Sequence, residues 1–92
     1  MDERMNEPLA SEDLHFDGTD GRPHVLTLII GRPYPTNGGF AWRCPFVHGV
    51  DGTLSQESCG GPGTVTAILN ASLTLAAIQE KVLAESLHRE PR

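Results

Sequence analysis

Residues 64–88 read TVTAILNASLTLAAIQEKVLAESLH, and this stretch decides the fold. At about 100° per residue, Val65, Ile68, Leu69, Leu73, Leu75, Ala76, Val82, Leu83 and Leu87 gather on one broad arc. Thr66, Asn70, Thr74, Lys81, Glu85 and His88 take the opposite side. Thr64 is a plausible N-cap, His88 and Arg89 sit at the negative end of the helix dipole, and Pro91 blocks continuation. The spacing therefore predicts a C-terminal helix. Its first half is poor in helix formers (Thr64, Thr66, Asn70, Ser72, Thr74), so a strand over 64–69 followed by a shorter helix is the competing reading.

Upstream of the helix the period changes from 3.6 to 2. Residues 24–30 (HVLTLII) are β-branched and leucine-rich, with Leu26, Leu28 and Ile30 on one face and Val25, Thr27 and Ile29 on the other. Both faces are largely apolar, as in a central strand. Residues 10–16 alternate weakly and read as a short edge strand, closed by the DGTDG turn of residues 17–21. Residues 32–39 (RPYPTNGG) read as a loop, because two prolines withhold amide donors. Residues 40–48 form the next strand, with Trp42, Cys44, Phe46 and His48 on one face and Ala41, Arg43, Pro45 and Val47 on the other. A proline in a paired strand predicts a bulge or bend near Cys44 and Pro45. Asp51-Gly52 suits a type I′ hairpin turn, residues 53–58 form a polar edge strand, and residues 59–63 (CGGPG) break the chain.

The expectation is an α+β fold: a small antiparallel sheet of about four strands in a meander, packed in two layers against one C-terminal helix. Leu26, Leu28, Ile30, Trp42, Cys44 and Phe46 are expected to meet the apolar arc of that helix. At 92 residues and 9.9 kDa the chain holds one domain, over residues 9–90, behind an unstructured acidic arm at residues 1–8. The first twenty residues carry seven acids and one base, leaving six bases against five acids in the remainder. A near-neutral body without a basic stripe argues against a nucleic-acid partner. No apolar run is long enough for a membrane span, and the acidic start is not an export signal, so a cytoplasmic, reducing setting with free thiols is expected.

The order Ile30-Gly31-Arg32-Pro33, then Trp42-Arg43-Cys44-Pro45-Phe46, then a Gly-rich connection into an Ala/Leu-rich helix resembles a family of small bacterial proteins. That family is known only as a domain of unknown function with an IGxP…WxCPF pattern. The resemblance covers roughly residues 10–87 and implies a compact α+β domain; it brings no catalytic residue. Family members commonly begin the last helix with an acidic, then glutamine-rich stretch. Here residues 63–67 read GTVTA, so a role carried by that start does not transfer.

The candidate chemistry is sparse. Cys44, His48 and Cys59 invite a zinc reading, but Cys44 and His48 stand about 13 Å apart on an extended strand, and no CxxC or HxxxH pair exists. No metal and no cofactor are expected. Cys59, read as lying in a Gly-rich loop at the start of the helix, is the candidate reactive thiol of a thiol-dependent enzyme or small-ligand binder, which is the alternative function. Arg32, Tyr34 and Arg43 are candidates for an anion-binding patch, weighed against ordinary solvated arginines. Trp42 and Phe46 read as core. Val25, Ile29 and Val47 would face outward from the uncovered side of the sheet, and the helix arc is wider than one sheet contact hides. That surplus apolar surface predicts a protein partner or a homodimer, in a small non-enzymatic interaction module of the accessory or mobile-element kind.

Overall fold

The computed structural model describes residues 8–87. Five strands form one antiparallel sheet: β1 (Ala10–Asp17), β2 (Pro23–Ile30), β3 (Tyr34–Thr36), β4 (Ala41–Val50) and β5 (Thr53–Gly61). A 3-10 turn at Asn37–Gly39 joins β3 to β4, and α1 (Thr64–Leu87) follows β5 and covers one face. This is the expected α+β architecture. The competing strand over 64–69 does not form. Most of the expected arm and the expected C-terminal cap at His88, Arg89 and Pro91 lie outside the described residues.

β4 is the hub. All of it but Ala41 pairs with β5 in unbroken register, from Trp42↔Gly61 to Val50↔Thr53. Its other edge holds β2 (Ile30↔Phe46 to Leu26↔Val50) and β3 (Tyr34↔Arg43 to Thr36↔Ala41). β2 and β3 are therefore one broken strand, and the sheet is a four-rank meander, β1–β2/β3–β4–β5. The hairpin between β4 and β5 turns on Asp51 (φ 53°) and Gly52 (φ 84°), the left-handed pair that a type I′ turn requires.

Pro45 shows how a proline fits in a central strand. The expected bulge is not in β4. It lies across from it, where three residues, Gly31 to Pro33, oppose Cys44 and Pro45. Gly31 N–H donates to the Pro45 carbonyl at 2.8 Å. The return bond from residue 45 is the one a proline cannot make. The Gly31 carbonyl instead faces the Cys44 thiol, with Sγ at 3.4 Å.

Register divides the side chains between two faces. Leu26, Leu28, Ile30, Cys44 and Phe46 form the core beneath α1, with Leu14, Phe16, Trp42, Val50 and Cys59 packed around them. α1 meets them through Ala67, Ala71 and Leu75, supported by Ile68, Ile78 and Val82. This corrects the expected arc: Val65, Leu69 and Leu73 are exposed, and the buried seam is built on alanines. The reason lies in β5, where residues 59–61 continue the strand rather than break it. A Cβ on Gly61 would stand 2.7 Å from the Ala67 backbone nitrogen. Backbone is thus packed on backbone, and only small residues fit between. Asn70 fixes the roll of the helix by donating from Nδ2 to the Gly60 carbonyl at 2.9 Å.

Candidate functional site

With its small residues turned inward, α1 presents a second apolar stripe to solvent. Val65 (77% exposed), Leu69 (52%) and Leu73 (59%) repeat every four residues on the side of the helix away from the sheet. No charged residue falls between Glu57 and Glu80, so over residues 64–79 this outer face lacks the Lys and Glu that ordinarily solvate a surface helix. Phe40, 87% exposed, stands at the same end of the molecule, just ahead of the β4 segment that pairs with the end of β5.

A groove runs beside the stripe. α1 packs mainly on β5 and β4 and reaches β1 only weakly. Near the start of β1 a cavity of about 220 Å³ lies between strand and helix, floored by Leu28 and Ile30 and walled by Leu75, Ala76 and Gln79. Toward the other end of β1 a wider cavity of about 490 Å³ is lined by Phe16, Asp20, His24, Val50, Val82 and Glu85.

His24 organises that far end. Its Nδ1 lies 2.6 Å from Asp51 Oδ2 and its Nε2 3.0 Å from Asp20 Oδ1, while Phe16 stacks on the ring at 5.6 Å between centroids. Asp51 also accepts the Val25 N–H, and Asp20 the Arg22 N–H, each at 2.9 Å. The hydrogen bond to Asp51, then that to Asp20, raises the His24 pKa above its ordinary value. The Arg22 amide first, then His24, lowers the Asp20 pKa; for Asp51, His24 acts first and the Val25 amide second. Two carboxylate acceptors call for protons on both ring nitrogens. With a proton on each nitrogen the ring is a clamp that ties the β1–β2 turn to the β4–β5 turn, and both nitrogens face carboxylates. His48 makes a simpler pair with Glu57, Nε2 to Oε2 at 2.7 Å.

The residues singled out from sequence fall as follows. Register sets Tyr34 directly opposite Arg43, and Arg32 is exposed in the bulged segment. Arg43 donates from Nε to Ser58 Oγ at 2.7 Å and from Nη2 to the Ser58 carbonyl at 2.9 Å, so its guanidinium braces β5. Val25 and Ile29 lie half-buried on the face away from α1. Val47 lies on that face too but is only 1% exposed, which corrects its expected role as a contact residue. Cys59 is not at the helix start. It sits within β5, paired with Cys44 under the helix, and its Sγ is 3.3 Å from Thr74 Oγ1. Burial, then the neighbouring Cys59, pushes the Cys44 thiol pKa up. Both thiols are free, and among the described residues no three His, Cys, Asp or Glu side chains converge as a metal site. No described helix is long and apolar enough to cross a membrane.

No family model, curated protein or solved structure matches this chain. The functional reading rests on its own geometry. The helical period alone could not assign the outer stripe, because it counts apolar residues without saying which side is buried. The legible signal was Ala67 and Ala71 following Gly60-Gly61, a close approach that excludes leucine.

Proposed function

We propose that this protein is a small non-enzymatic protein-interaction module whose docking face is the outer side of α1. The observation that carries the reading is the uncharged stripe of Val65, Leu69 and Leu73 on an otherwise well-packed helix. Depletion of charge with retention of large apolar side chains is the compositional mark of an interface centre. A helix that presents anchors every four residues is also a recurrent binding element. The geometry gives the thiol-enzyme alternative little support: Cys59 is half-buried under α1 and both nitrogens of His24 are engaged. The free thiols fit a reducing, cytoplasmic setting, and the resemblance of residues 30–33 and 42–46 fits a bacterial one.

The test is a polarity-sensitive fluorophore on Ala77→Cys, exposed one turn after Leu73 and outside the cavity lining, with Lys81→Cys as the control position; both carry Cys59→Ser. The Ala77 label is expected to shift to the blue when the protein is concentrated or mixed with extract of its native host, while the Lys81 label stays unchanged. An Ala77 label that remains as wet as the control under both conditions removes the docking face.

A further inference from the structure

We infer that two copies of this chain close on each other about a two-fold axis, with the outer stripe of each α1 seated in the groove between the other copy's α1 and β1. The inference rests on the docking reading above and names its occupant.

Coverage supplies the first argument. Four strand ranks at about 4.8 Å spacing span roughly 14 Å between outer axes, more with side chains, whereas a helix about 10 Å across covers about two ranks. α1 sits over β5 and β4, so the β1 side of the same face lacks a second helix among the described residues. The near cavity there has Leu28 and Ile30 on its floor and Leu75 and Ala76 on its wall, with Ser11, Glu12, Ser72 and Gln79 also in the lining. Among the described residues each copy therefore carries an apolar ridge without a seat and a groove with an apolar floor without a ridge.

The dimensions agree. From Val65 to Leu73 the ridge rises about 12 Å along the helix, and β1, which borders the groove, is about 26 Å long. Charge agrees as well. The ridge carries none, and Glu12 is the only charged side chain lining the near cavity. Self-association at this face avoids like-charge repulsion even though the chain has a formal net charge of −5. A charged partner would find no counter-charge on the ridge.

Reciprocity doubles the contact. A stable interface buries about 800 Å² per partner, more than one helix face of this length provides. Seating ridge in groove twice, once on each side of the axis, uses both features of both copies. The contact is isologous and closed, giving a sheet–helices–sheet sandwich rather than an open fibre.

Sedimentation velocity on the full chain, with thermal melts as the folding control, tests this. Leu69→Glu spoils the ridge and Ala76→Trp fills the groove; both positions are exposed, so both variants are expected to fold. The wild-type chain should sediment as a dimer at high micromolar concentration, and each variant should dissociate at least about tenfold more readily. A wild-type chain that stays monomeric, or variants that dimerise normally, overturns the inference. The Ala77 label separates the two readings. A blue shift with host extract but not with the protein's own concentration overturns the second copy and keeps the docking face; no shift under either condition overturns both.

Discussion

Leu73 and Leu75 stand two positions apart on one helix, and the first is 59% exposed while the second is 8% exposed. Hydrophobicity does not distinguish them. What does is the roll of α1, set two turns earlier where Gly61 comes within Cβ distance of the Ala67 backbone and Asn70 bonds the Gly60 carbonyl. The inner face is chosen by fit and the outer face is what remains. A close helix–sheet contact selects alanine, and the larger residues are displaced to the side where a partner can use them.

The sharpest test of this difference is the same substitution at both positions, measured by urea melts at a dilution where any dimer has dissociated. Leu75→Ala should cost about 2–5 kcal/mol through lost burial and a cavity. Leu73→Ala should change stability by no more than about 0.5 kcal/mol, as an exposed site does. Equal costs would mean that both faces are buried within one chain, and the outer stripe would no longer be a surface.

The second test addresses the cause of the roll. Gly61→Ala places a Cβ 2.7 Å from a backbone nitrogen, which cannot swing aside. The expected cost is about 1–3 kcal/mol, with α1 lifted from β5. Gly63→Ala meets nothing within 4 Å and should stay within about 0.5 kcal/mol of wild type. If Gly61→Ala is as mild as Gly63→Ala in thermal melts, close approach does not set the helix.

The same contrast explains what the sequence made legible. Strand alternation in residues 24–30 and 40–48 is a local property, and both strands formed on the expected faces. Asp51-Gly52 carries its turn type in its own backbone preferences. The features missed depend on pairing between distant segments. Residues 59–61 look like a breaker, yet β4 offers them a full complement of partners and they continue the strand. Pro45 implies an irregularity, and only the opposite strand reveals that the irregularity is on its neighbour. His24 and Asp51 are 27 residues apart and meet because Leu26 pairs with Val50.

The smallest effect comes from that clamp and bears on the two faces by leaving one of them alone. The His24 pKa is raised above its ordinary 6.5, so the stability it adds is fully present below about pH 6.5 and is lost as pH rises through its folded value. Asp20 and Asp51 are lowered from 3.8, so their share is present above about pH 3.8 and fails as pH falls through their folded values. Between those limits the clamp contributes most, with Glu85 the other carboxylate lining the same cavity. Urea midpoints should therefore fall from about pH 5.5 to about pH 8.5 in the wild type, and His24→Asn should flatten that decline. A decline that His24→Asn leaves intact would assign the pH dependence elsewhere. Dimer dissociation should be insensitive over the same range, because the ridge is uncharged and the near cavity has no histidine in its lining. Dissociation that follows the His24 titration would place the partner over the Phe16 end of the groove, and the ridge would need a different seat.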